Sequence, residues 1–152
     1  SRVAGCDVQQ QTEDGPEYVD QIVSYHHIKA SYENACQQAG IDFSDLYLHD
    51  RALLDIYTCY SVVPMGFLLA TGLVESFDEI PDFVASHPLT VTGGLNLLKA
   101  PWNNTTVQTL AIIFHALKAK GAPEIAGIHS VGALGYLQGF TILQEISASD
   151  IG

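Results

Sequence analysis

Basic residues are scarce in this chain. Six Lys plus Arg stand against seventeen Asp plus Glu among 152 residues, a formal charge of -11. That balance repels phosphate backbones and removes the counterion release that drives nucleic-acid binding, so nucleic acid is not an expected partner. Cysteine is also sparse. Cys6, Cys36 and Cys59 are odd in number and have no paired spacing, which argues against a disulfide framework and a zinc site and for a reducing, cytoplasmic compartment. No apolar run reaches the ~18 residues a membrane helix needs, and the start SRVAGCDVQQQ lacks the apolar stretch of a secretory signal. A soluble chain without a membrane span is expected, and the sequons at Asn103 and Asn104 are chance matches. Charge of either sign is limited too. At 15% charged and 47% hydrophobic the chain is too apolar for disorder, and part of its surface is expected to be covered by a partner.

What is present is the length of one domain, without repeats or low-complexity tracts. Residues 3 to 8 read as a short strand. From Pro16 a first helix is expected to run to about Gln38, with Ile22, Tyr25, Ala30 and Ala35 on one face and Gly40 ending it in a left-handed conformation. IDFSDL reads as a polar turn and LLDIYTCY as a buried strand ending in Tyr57, Thr58 and Cys59. Ser61 is placed to cap a helix through Gly72, and SVVPMGFLLATGL is apolar all round, as in a helix packed between layers. Residues 74 to 88 form an acidic loop or short helix, and LTVT at 89 to 92 a further short strand ended by Gly93 and Gly94. Thr105 or Thr106 caps a helix in which Val107, Leu110, Ala111, Phe114 and Leu117 recur at spacings of 3 and 4, and Gly121 ends it. IAGIHSVG and LGYLQGFTILQEI read as an antiparallel pair of strands. The expectation is an α/β domain, layered as βαβαβαββ, with a five-stranded mixed sheet.

Few of the polar residues fall into a pattern that carries chemistry by itself. His26, His27 and Asp20 lack the i, i+4 spacing of a metal site, so no metal is expected, and GGLNLL lacks both the Lys-Ser/Thr of a phosphate loop and the third glycine of a dinucleotide fingerprint.

A longer pattern is more telling. LTVTGGLNLLKAPWNNTTVQTLAIIFHAL resembles the C-terminal half of the thiolase superfamily, in its acetyl-CoA acetyltransferase or sterol-carrier-protein-type branch, where the usual wording is close to LTVTGGLPYFGGPGNNYxxHAIA. NACQQAGIDFSDL followed by LLDIYTCYSVVP is similar to that branch's ERAGIxPxDI followed by a strand ending in a YDCF-like or HDCF-like motif, and GIHSVGALGYL resembles its closing Gly-rich turn. The likeness covers about residues 3 to 146. It implies a thiolase-like C-terminal domain of an acyl-CoA acyltransferase, with a coenzyme A thioester as substrate and no further cofactor. The acyl-carrying cysteine would lie on an N-terminal half or partner subunit, in a homo- or hetero-oligomer.

The resemblance also shows where the chain departs from that family. Claisen-type chemistry needs a thiolate, a base and donors at the enolate oxygen. No cysteine here matches the nucleophile motif. The position of the Asn or His in the NEAF or HDCF motif carries Tyr57, that of the GHP histidine carries Ala100, and the final cysteine falls near Ser130 or Val131. Gln108 takes the place of a helix histidine, and His115, two turns or ~10.5 Å further along, cannot replace it. The residues left to act are Tyr57, Cys59, Gln108 and His129, with Asn103, Asn104, Gly93, Gly94 and Gly132 to bind substrate. Two other readings stay open: a non-catalytic interaction subunit, and a retro-aldolase-type lyase in which Tyr57 handles protons. The chain by itself is expected to lack thiolase activity and to self-associate.

Overall fold

The computed structural model describes residues 1–10, 15–98, 104–132 and 137–146. In chain order the elements are β1 (Arg2–Gln10), α1 (Pro16–Val23), α2 (His26–Ala39), α3 (Phe43–Leu48), β2 (Ala52–Asp55), α4 (Val62–Ala70), a single 3-10 turn (Phe77–Glu79), α5 (Ile80–Ser86), α6 (Thr105–Leu117), β3 (Ile125–Gly132) and β4 (Leu137–Gln144). The strands form one mixed sheet in the order β1-β4-β3-β2. β4 runs antiparallel to both β1 and β3, while β2 lies parallel to β3, with Ala52 opposite Ile125 and Asp55 opposite Ile128.

Helices cover the sheet on two faces because β3 and β4 bury side chains on both. On one face Phe140 and Ile142 of β4 and Leu54 of β2 meet α2, α3 and α4. At its centre Tyr32, Phe43, Phe67 and Phe140 pack edge-on or tilted, with ring centroids 5.0 to 6.3 Å apart, a geometry that suits the ring quadrupoles. The other face carries a smaller cluster of Ile113 and Leu117 from α6 with Ala126, Ile128 and Leu143. Two glycines permit the closeness of the first layer. A Cβ on Gly5 would lie 2.1 Å from the Ala35 carbonyl oxygen, and one on Gly127 would lie 2.5 Å from the rings of Phe43 and Phe140.

Several expectations are corrected. The long first helix is broken: Tyr25 takes a left-handed φ of 54°, so α1 ends and α2 begins around it. The turn sets the Tyr25 ring against the backbone of Gly66 in α4, where a Cβ would come within 2.4 Å of the ring. Packing between layers overrides local helix preference here. IDFSDL opens a helix instead of a turn, with the Asp42 carboxylate accepting the Asp45 N–H at 3.0 Å as the N-cap of α3. β2 stops at Asp55, four residues before Cys59. Ser61 makes no side-chain cap bond, and the N-cap position of α6 is held by Asn104 rather than by a threonine. α6 buries Thr105, Thr109, Ile113 and Leu117; of the expected face Leu117 is buried and Leu110 half-buried, whereas Val107, Ala111 and Phe114 are exposed.

The sheet has four strands among the described residues, not five. LTVT is the missing one. Its Leu89 carbonyl accepts the Ile56 N–H at 3.0 Å, but the N–H groups of Val91 and Thr92 both go to the Asp55 carboxylate, so no ladder can extend. The order of elements is correspondingly β, three helices, β, three helices with the 3-10 turn between the first two, then two strands, rather than strict alternation. The two strands expected near the end do pair antiparallel, and Gly40 ends α2 at a φ of 68° as expected.

Adding a methyl group at Gly5 must push α2 away from β1. Gly5→Ala is expected to lower stability by about 1–3 kcal/mol in urea unfolding, the usual range for overpacking against groups that cannot yield; an unchanged midpoint would show that α2 is free to move.

Candidate functional site

β2 and β3 are the parallel pair, and the side chains that bear chemistry collect where they end, beside the first turns of α6. The ends of parallel strands commonly hold ligands because the chain must leave the sheet there and opens a crevice. A small cavity of about 10 Å³, room for about one water molecule, is lined there by Asp55, Tyr57, Thr92, Thr105, Thr109 and His129 among others.

Asp55 builds the wall. Its Oδ2 accepts N–H bonds from Val91 at 2.9 Å and Thr92 at 2.8 Å. Three residues on, Thr58 Oγ1 accepts the Leu95 N–H at 2.9 Å. Gly93 and Gly94 between these anchors have φ of 83° and 85°, and a Cβ on Gly94 would stand 2.6 Å from Thr58 Oγ1. The paired glycines therefore let the loop lie flat on the end of β2. Burial raises the Asp55 pKa, and the hydrogen bonds from Thr92 and Val91 offset part of that rise.

His129 forms the floor. It is 3% exposed, with its ring centroid 4.9 Å from that of Phe67. Its Nε2 donates to Gln138 Oε1 at 2.9 Å, and its Nδ1 has no hydrogen-bond partner among the described residues. Burial drives its pKa down to about 4, against a smaller upward pull from Gln138, so the ring is neutral near pH 7 with a lone pair on Nδ1. Tyr57 is half-buried on the rim. Burial, then the neighbouring Cys59, raises its pKa, which keeps the phenol protonated and able to donate. Burial also raises the Cys59 pKa, the opposite of what an activated thiol requires.

Of the residues singled out from the sequence, Tyr57 and His129 line this cavity. Cys59 lies two residues beyond Tyr57, half-buried. Gly94 is buried under the loop and Gly93 is exposed. Asn104 is exposed at the start of α6, and Gln108 is exposed on that helix and does not line the cavity. Gly132 is half-buried at the end of β3, opposite Leu137. Asn103 and Ala100 lie outside the described residues. Sequence reasoning missed Asp55, Thr58, Thr105 and Thr109. For Asp55 a signal exists: it is the one charged residue inside an apolar strand, LLDIY.

No protein-family model matches the sequence, and no curated protein matches it. The structure, by contrast, resembles the crystal structure of a monomeric SCP2-thiolase like protein type 1 from Mycobacterium smegmatis, with a TM-score of 0.66 at 19% sequence identity over 95% of this chain. The fold is thiolase-like. The chain spans 29% of the length of that structure, so the thiolase-like fold here is one portion of a larger architecture in that protein. No helix among the described residues is long and apolar enough to cross a membrane.

The folded-state pKa of His129 lies below the ordinary His value of 6.5, so the unfolded chain takes up this proton first. Its contribution to stability is complete above that value and is lost as pH falls toward about 4, where both states are protonated. The expected slope is at most ~1.4 kcal/mol per pH unit. Burial lowers the His27 pKa in the same direction, so the measurement is a difference: urea midpoints at pH 7, 6 and 5 should fall more steeply in wild type than in His129→Gln, which keeps a donor for Gln138. Parallel curves would place the His129 proton uptake outside this window.

Proposed function

We propose that this chain is the C-terminal part of a thiolase-like acyl-CoA acyltransferase, acetyl-CoA acetyltransferase-like in type, whose nucleophile is carried by another half or subunit. The observation that carries this reading is the meeting of Tyr57 and His129 in one cavity at the ends of the parallel strands of a thiolase-like fold. A protonated phenol suits an oxygen that gains negative charge, such as a thioester carbonyl on its way to an enolate. The raised Cys59 pKa leaves a thiol that is a poor nucleophile, which is why acyl transfer needs a cysteine from outside these residues. The apolar stripe of α6 turned away from the sheet, where Val107 is 63% and Phe114 36% exposed, supplies a face on which a second half could pack.

A second reading has its own support. An acid and a neutral base facing one cavity, with no thiolate beside them, suit a retro-aldolase-type lyase on acyl-CoA thioesters, in which a proton leaves a hydroxyl as a carbon–carbon bond breaks.

Reconstitution separates these readings. The purified chain alone is expected to give no thiolysis of acetoacetyl-CoA, while its complex with a cysteine-bearing thiolase-like half is expected to be active. In that complex Tyr57→Phe should lower kcat by about 10²-fold, the scale of one lost oxyanion donor. Thiolysis by the chain alone, or a rate indifferent to Tyr57→Phe, would overturn the acyltransferase reading; cleavage of hydroxyacyl thioesters without thiolysis would favour the lyase.

A further inference from the structure

One wall of the cavity, residues 95–98, is tied to the described remainder of the chain by a single hydrogen bond outside its own turn. Before it, Asp55 takes the N–H groups of Val91 and Thr92 on one carboxylate oxygen, which fixes the loop as far as Thr92. Gly93 and Gly94 follow, with φ of 83° and 85°. Beyond them the Leu95 N–H donates to Thr58 Oγ1 at 2.9 Å, while the N–H groups of Leu97 and Leu98 both turn back to the Gly94 carbonyl at 3.2 Å. Glycine takes negative φ about as readily as positive, so two glycines between a fixed post and a self-bonded turn resist rotation little.

The facing walls are held by regular structure. Asp55 and Ile128 lie opposite each other in the parallel β2–β3 pair, and Thr105 and Thr109 stand on α6, which Ile113 and Leu117 secure to the sheet. Leu95 and Leu98 come instead from a segment with no ladder or helix behind it. The half-buried members of the lining, Tyr57, Thr92, Leu98 and Thr106, mark the side on which the cavity lies nearest to solvent, and the segment belongs to that side. Segments with few backbone bonds to the body of a protein open locally at lower cost than the core unfolds. A Cβ on Gly94 would stand 2.6 Å from Thr58 Oγ1, so the glycine that frees the hinge also lets the hydrogen bond to Leu95 close.

We infer that residues 95–98 are a flap that swings on Gly93 and Gly94 and is latched by the Thr58–Leu95 hydrogen bond, so that the cavity opens to solvent while the domain stays folded. Asp55 is the fixed post of the hinge, and Thr58, which does not line the cavity, is the latch. The flap serves whatever ligand the site takes and does not rest on the acyl-CoA reading.

Iodoacetamide labelling of the whole chain, followed at each cysteine by mass spectrometry, reads the opening without any ligand. Thr109→Cys places a thiol of nearly the same size in the cavity wall, at a position 3% exposed. Two native thiols bracket it: Cys36, buried in the main core, reports global unfolding, and Cys6 is exposed. For each thiol the protection is the rate in the urea-unfolded chain divided by the native rate. The cavity thiol should be protected, unlike Cys6, but at least about tenfold less than Cys36. Thr58→Val keeps the shape of the latch without its acceptor, and should lower protection in the cavity about tenfold relative to Cys36, the scale of one lost hydrogen bond. Equal protection of the cavity thiol and Cys36 would show that the cavity opens only by unfolding, and no protection would show that it has no flap. A ratio unmoved by Thr58→Val would place the opening elsewhere; each of these three results overturns the inference. Should Thr109→Cys fail to fold, Ile128→Cys, 1% exposed in the sheet wall, carries the same expectations.

Discussion

The Asp55 carboxylate decides where the sheet stops and the site begins. It sits at the last position of β2, 4% exposed, and two backbone N–H groups of the loop at 91 and 92 converge on one of its oxygens. Without a charged acceptor there, those amides would need ladder partners, and LTVT would lie as a strand beside β2. Charge-assisted bonds are worth about 1.5–3 kcal/mol each, enough for two of them to outweigh the modest preference of a four-residue apolar segment for a strand. The loop is therefore drawn over the strand ends, where Gly93 and Gly94 allow the second anchor, Thr58 to Leu95, to close. The outcome for Asp55 itself is a compromise. Its pKa is raised, because burial outweighs the hydrogen bonds from Thr92 and Val91.

The two faces of the sheet divide the work. The α2, α3 and α4 face holds the aromatic core, and its close approach depends on glycines at 5, 66 and 127 rather than on large side chains. The α6 face is smaller and includes threonines where a helix on a sheet would ordinarily bury leucine or valine. Those threonines lie beside Asp55 at the start of α6, and Ile113 and Leu117 follow further along. Apolar packing thus secures one end of α6 and leaves the other end polar. His129 belongs to both faces: its ring packs on Phe67 of the aromatic side, yet it contributes to the cavity beside α6.

Much of this was legible in the sequence where a local signal and the tertiary demand agreed. Gly40 ends α2, IAGIHSVG and LQGFTILQ pair as strands, and the apolar run around Phe67 becomes a helix in the main core, because in each case burial reinforces what the residues prefer alone. Two of the failures have one cause. Tyr25 is a competent helix residue that turns left-handed only because its ring must reach Gly66, a contact 41 positions away in sequence. LTVT is a competent strand whose donors are taken by a carboxylate 36 and 37 positions earlier. Periodicity carries no information about such partners.

The expected face of α6 mixes residues that the sheet buries with residues it leaves exposed, and the difference bears on the candidate site. Its apolar residues occupy two stripes, Leu110, Ile113 and Leu117 toward the sheet and Val107, Ala111 and Phe114 away from it, each spaced by 3 and 4 residues, and the expected face drew on both. The second stripe is the exposed one, with Lys118 Nζ lying 3.9 Å over the Phe114 ring as a partial cover. A helix that is apolar on both sides is built to stand between two layers, and here the described residues supply only one of them. The polar start of α6 then faces inward, which brings Thr105 and Thr109, rather than Gln108, to Asp55 and His129. The orientation of the helix and the composition of the cavity are one decision, made by which stripe the sheet accepts.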